Sequence, residues 1–190
     1  MAFPVIAWPG ERPDFTIQTG THETGLEVTQ AVDASYARFL SFAARAGLTD
    51  VPDAVQFLSL SSAASMSGRD MEALVARLIE HPPATRLPRD DDPAATLKCW
   101  LALIGDAITK KTDRYVRAPL TVERCDLLIY DNTGLNVELG SALDMLGASL
   151  PLAQTFERVY LLTGAALLEL DAAMPHAPPF VHEVPIALLA

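Results

Sequence analysis

The sequence predicts an α/β domain in which helices flank a mixed β-sheet. Three observations lead there. Residues 13–31 alternate polar and apolar side chains on either side of Gly20-Thr21, the pattern of a β-hairpin. Asp126-Leu127-Leu128-Ile129-Tyr130-Asp131 and Arg158-Val159-Tyr160-Leu161-Leu162-Thr163 are short, almost unbroken apolar runs, the look of central strands. Between the hairpin and the second run lie segments whose apolar residues recur at helical spacing. The 190 residues suffice for one domain with a substantial core. The domain is expected to span residues 1–190, with its core at about 12–170 and a Pro-rich tail over 171–190.

Each element follows from local chemistry. Pro13 to Thr19 and His22 to Ala31 read as strands, with Gly at the first position of a two-residue loop as type II′ turns prefer. That loop sets Thr19 opposite His22, and counting outward puts Phe15 opposite Leu26 and Asp14 opposite Glu27. Phe15, Ile17, Leu26 and Val28 then share one face; Asp14, Thr16, Glu27 and Thr29 share the other. Asp33 can cap a helix to about Ala46, with Tyr36, Phe39, Leu40 and Ala43 as its apolar stripe and Gly47 as its stop. Val51 to Leu60 reads as a short strand or a loop, and 61–68 as loop. Met71, Leu74, Val75, Leu78 and Ile79 mark a helix from Gly68 to His81, which Pro82-Pro83 ends. The stretch 81–93, with Asp90-Asp91-Asp92, reads as a solvated loop whose last Asp caps the next helix.

Pro93 suits the first turn of a helix running to about Tyr115. Leu97, Leu101, Ile104 and Ile108 line one face, and Lys111 and Tyr115 continue it; Lys110 lies off it. Asn132-Thr133-Gly134 is a turn, and Val137 to Leu150 a helix weakened by Gly140 and Gly147. A helix between two apolar strands implies a crossover connection and a sheet covered on both sides. Ala166 to Leu170 reads as a short edge strand, and the tail beyond Asp171 as extended chain on the surface.

Composition narrows the classes. Hydrophobic residues make up 50% and charged residues 20%, the balance of a globular chain. No apolar run reaches the length of a membrane span. Met1-Ala2-Phe3-Pro4 lacks the basic-then-apolar pattern of a secretory signal. Cys99 and Cys125 are the only cysteines, expected reduced in a cytoplasmic protein, with Cys125 buried. The formal net charge of −10 disfavours a protein that coats nucleic acid through a broad basic surface, but not one that meets it through a local patch. Homodimers are the commonest soluble oligomers, although nothing in the sequence selects one.

The chemistry concentrates in the hairpin. Opposed residues on one face have Cβ atoms about 5 Å apart. Two carboxylates that close repel unless a cation or proton lies between them. Mg²⁺ or Mn²⁺ takes one or two carboxylates with waters and phosphate oxygens, so Asp14 and Glu27 read as candidate metal ligands. The plainer reading is a chance pairing on a solvated face. His22 and His81 read as solvent-exposed, while His176 and His182 carry no ligand spacing. Ser59, Ser61 and Ser62 lack a nucleophile-elbow pattern, and no phosphate-loop glycine pattern occurs. Trp8 and Trp100 read as packing residues, and Asp131 as a cap for the following turn. Gln30 reads as a capping or surface residue.

Pro13-Asp14-Phe15, then Gly25-Leu26-Glu27-Val28-Thr29, followed by helix and buried strands, resembles the core of the PD-(D/E)XK nuclease superfamily, the restriction-endonuclease-like fold. The likeness covers about residues 12–164 in order of elements, and its sharp part is the hairpin. It implies a Mg²⁺- or Mn²⁺-dependent nuclease in which Asp14 and Glu27 bind metal. The Val28 carbonyl would be a further ligand, and Thr29 would stand where the family has lysine. Threonine can orient water but supplies no charge. Lys111 is then a candidate for a relocated lysine; the competing reading is a helix-end lysine with its amine in water. Two further departures are the absence of an upstream helix carrying glutamate, since Glu11 is the only acid before Pro13, and the acidic net charge. These departures also allow a catalytically inactive accessory or protein-interaction module.

Overall fold

The computed structural model describes residues 5–52, 54, 57, 66–81, 93–117, 122–135, 137–150, 155–164, 166–174 and 177–183. The expectations for 58–65 and for 82–92, including Asp90-Asp91-Asp92, Ser59, Ser61 and Ser62, lie outside these residues, as do most of that for Val51 to Leu60 and that for His176.

The described chain is mixed α/β, with a seven-stranded sheet and four helices. The strands are β1 (Val5–Pro9), β2 (Phe15–Thr19), β3 (His22–Ala31), β4 (Cys125–Asp131), β5 (Arg158–Thr163), β6 (Ala166–Asp171) and β7 (Phe180–Glu183). They lie in the sheet in chain order; β3–β4 and β4–β5 pair in parallel and the others antiparallel. The helices are α1 (Ala34–Ala46), α2 (Gly68–Glu80), α3 (Pro93–Arg117) and α4 (Leu139–Ser149).

The hairpin forms in the expected register, with Thr19 opposite His22 and Phe15 opposite Leu26. Gly20 takes a positive φ of 63°, which glycine adopts without strain. Asp33 caps α1 by accepting from the N–H groups of Ser35 and Tyr36, and Gly47 ends it at φ 74°. Ser67 and Asp70 form a reciprocal capping box on α2.

The chain divides into two compact units. The first holds residues 1–31, 101–132 and 138–190, and so the whole sheet. Leu127, Ile129, Val159, Leu161, Leu168 and Leu170 form its buried sheet face, and Ile104, Ile108, Ala142, Leu146 and Phe156 are buried with them. The second unit holds residues 32–100 and 133–137. Its core gathers Tyr36, Phe39 and Phe57 with Met71, Leu74, Val75 and Leu78. The Phe39 and Phe57 rings stack with centroids 4.7 Å apart.

Four features differ from the sequence reading. The segment before Pro13 forms β1, an edge strand with no alternation to announce it and a proline at its end. Trp8 on that strand is exposed, whereas Trp100 is buried as expected. Strands β4 and β5 are buried on one face only: Leu128, Tyr160 and Leu162 are half-buried and Tyr130 is exposed. Apolar runs do not reveal how fully their second face is covered. Finally, β6 is not an edge, because Phe180–Glu183 of the Pro-rich tail pairs along it as β7.

Candidate functional site

The site lies within the first unit, where β2, β3 and α3 meet. The parallel pairing sets Glu27 beside Leu127 and Thr29 beside Ile129. Paired residues share a face, so Glu27 and Thr29 stand on the face whose neighbours are the buried Cys125, Leu127 and Ile129. The carboxylate face of the hairpin is thus the inward one. Glu27 is only 2% exposed, an unusual state for a glutamate that demands a partner.

That partner is Lys111. Its Nζ lies 2.5 Å from Glu27 Oε2 and 3.2 Å from Asp14 Oδ2, closing a bridge between residues 84 and 97 positions apart. Helical periodicity turns Lys111 inward with Ile104, Ile108 and Tyr115 on one stripe of α3. Its side chain is 12% exposed, against 36% for Asp14, so the bridge has a buried end at Glu27 and an open end at Asp14. The reading of Lys111 as a helix-end lysine with its amine in water does not describe this geometry.

Asp14 is further fixed by the Val28 N–H, which donates to its Oδ2 at 2.8 Å. Partial burial pushes the Asp14 carboxyl pKa up, but the Val28 N–H and the Lys111 ammonium outweigh it, leaving the pKa below its ordinary value. Asp14 is therefore ionised at neutral pH.

Tyr115, one helical turn beyond Lys111, is buried on the same helix face and feels the Glu27 carboxylate. Burial, and then the Glu27 charge, raise the Tyr115 pKa. The Tyr115 ring meets Phe156 edge-on, with centroids 5.6 Å apart. Cys125 forms part of the same buried floor, where burial and then Glu27 push its thiol up to about 12. The sequence placed Tyr115 on the inward stripe but gave it no part in the site. The signal was its spacing of four from Lys111, the spacing at which two side chains share a helix face.

The remaining residues fall as follows. Thr29 is half-buried on the Glu27 face, two residues along β3. Gln30 is exposed on the opposite face, and Asn132 Nδ2 donates to its Oε1 at 3.4 Å. His22 and His81 are exposed. His182 lies 3.0 Å from Glu169, which also pairs with Arg158. Asp131 accepts a hydrogen bond from Thr163 on β5 at 2.9 Å.

The donor set suits a hard divalent cation. Two carboxylate oxygens converge on one cationic nitrogen, and Mg²⁺ binds one or two carboxylates while waters and phosphate oxygens fill its other positions. Among the described residues no group of three or more His, Cys, Asp or Glu side chains is placed to hold a metal ion, so the protein would supply two carboxylates. Among those residues, too, no helix is long and apolar enough to cross a membrane. Comparison with protein-family models, curated proteins and solved structures finds no match.

Proposed function

We propose that this chain is a metal-dependent nuclease with a restriction-endonuclease-like fold, hydrolysing phosphodiester bonds of nucleic acid. One observation carries the reading: Lys111 on α3 reaches both hairpin carboxylates, uniting acid, acid and lysine in one place although the motif lysine position holds Thr29. The hairpin supplies the acids in the order the resemblance requires, and the helix supplies the charge the strand lacks.

In this reading Asp14 and Glu27 hold Mg²⁺ or Mn²⁺, and the Val28 N–H keeps the Asp14 carboxylate aimed. A metal held there would lower the pKa of a water and neutralise phosphate charge. Thr29 offers a hydroxyl that orients the attacking water. Lys111, released from the carboxylates, places its ammonium against charge developing on the phosphate oxygens. Water adds across the P–O bond, leaving a phosphate monoester and a free hydroxyl. The protein would work in the cytoplasm, where Cys99 and the buried Cys125 stay reduced.

One observation favours a second reading. Lys111 already neutralises both carboxylates without a metal, as in a site that has kept its fold and lost its chemistry. The chain would then be a non-catalytic accessory or interaction module, and a homodimer is one form it could take.

Calorimetric titration with Mn²⁺ and Mg²⁺ separates the two. The nuclease reading expects wild-type binding that both Asp14→Asn and Glu27→Gln abolish. No binding at millimolar metal would remove the nuclease reading and leave the accessory one.

A further inference from the structure

A pocket of about 290 Å³ is lined by Arg12, Lys110, Asp113, Arg114 and Arg117. Four of the chain's fourteen Lys and Arg residues therefore meet at one place, against a single carboxylate, on a protein of net charge −10. Positions 110, 113, 114 and 117 follow helical spacing, so they form one exposed stripe of α3. That stripe adjoins the inward stripe of Ile108, Lys111 and Tyr115, because consecutive residues are about 100° apart around a helix. Arg12 comes from the other wall, separated from Asp14 only by the buried Pro13. The cationic pocket thus borders the open, Asp14 end of the bridge.

A cluster of like charges repels itself and costs stability unless an anion answers it. Among the described residues, Lys110, Arg114 and Arg117 form no ion pair within the chain. The guanidinium groups of Arg114 and Arg117 favour phosphate in particular, since each presents a planar fork of donors that matches phosphate oxygens.

We infer that this pocket binds the sugar-phosphate backbone of a nucleic-acid strand and leads it to Asp14 and Glu27. The inference rests on the nuclease reading for the identity of the polyanion, and it deepens that reading by giving an acidic protein its local point of entry. It also locates the strand's contact on α3 rather than on a broad surface.

The test is fluorescence anisotropy of a labelled oligonucleotide, single- and double-stranded, in EDTA across a salt series. Without metal, binding is read apart from catalysis. Wild type should bind at least one form, with affinity falling as salt rises. Lys110→Glu/Arg114→Glu should bind at least about tenfold more weakly, and its log–log salt slope should be shallower by about 1.4–1.8, the loss of two phosphate contacts. Arg69→Glu/Arg77→Glu, exposed on α2 and with the same net charge, should bind like wild type. The milder Lys110→Gln/Arg114→Gln should weaken binding without lowering the melting temperature, which rules out misfolding. Equal affinity of the α3 variant and wild type would overturn the inference. So would equal loss in the α2 control, competition by inorganic phosphate as effective as by unlabelled oligonucleotide, or binding to phosphatidylserine vesicles in place of oligonucleotide. Oligonucleotide binding with no metal uptake would sink the nuclease reading and leave the pocket standing; metal uptake without oligonucleotide binding would do the reverse.

Discussion

Replacing Lys111 by methionine keeps the length and apolar stem of the side chain and removes its charge. In the wild type the ammonium lies 2.5 Å from Glu27 and 3.2 Å from Asp14. Removing one partner of a buried ion pair costs about 3–5 kcal/mol, because it strands the other charge away from water. Glu27, at 2% exposure, meets that condition; Asp14, at 36%, is hydrated and adds little. Water entering from the open Asp14 end softens the loss, so the expected cost is about 2–3 kcal/mol at pH 7. For a chain of this size 1 kcal/mol moves Tm by about 2–4 °C, which makes the expected drop about 4–12 °C. Lys111→Met/Glu27→Gln, which removes both charges, should recover most of it. The sign with pH is fixed by Asp14. Its pKa is lowered in the folded state, so its contribution is present above the ordinary value of 3.8 and lost as pH falls. Because Lys111 supplies part of that lowering, the gap between wild type and Lys111→Met should narrow in acid. Thermal unfolding of the three proteins at pH 7 and in acid measures this. A Lys111→Met protein as stable as wild type at pH 7 would refute the view that the bridge holds a buried charge.

Two further outcomes are expected. A Cβ added at Gly25 would lie 2.8 Å from both Pro13 Cγ and Val122 Cγ2, so Gly25→Ala must displace the residue beside Asp14. Overpacking of this kind costs about 1–3 kcal/mol, and the variant should both melt earlier and bind Mn²⁺ more weakly; wild-type values in calorimetry and melting would count against the close packing of Pro13. Burial pushes the Asp126 carboxyl up to about 6, although Arg158 opposes this. A raised carboxylate pKa gives stability that is full below the ordinary value and lost as pH rises through the folded one. Wild type should therefore lose about 1–2 kcal/mol from this group between pH 4 and 7, after allowance for solvent screening. Asp126→Asn should flatten that part of the pH profile, and an unchanged profile would show that Asp126 does not titrate there.

The hairpin shows what local sequence can fix. Its alternation and Gly20-Thr21 loop determine the register from Thr19–His22 to Phe15–Leu26, since a two-residue turn admits one pairing and a slip would reverse every side chain. The caps of α1, the inward stripe of α3 and the two central strands are local in the same sense. Alternation states which residues share a face, however, not which face the rest of the chain will bury. Only the parallel pairing of β3 with β4 decides that Glu27 joins Leu127 and Ile129 on the inner side. Helical spacing likewise aligned Lys111 with Ile104 and Ile108 but carried no information about what they would meet. The encounter with carboxylates 84 and 97 residues away required the β3–β4 crossover. The edge strands β1 and β7 were hidden for a related reason: an edge strand takes its order from the neighbour it pairs with more than from its own pattern. The sequence thus determined the hairpin, the helices and the central strands, and the chemistry each carries. Tertiary structure decided the burial of Glu27 and its partnership with Lys111, because both depend on contacts made between segments far apart in the chain.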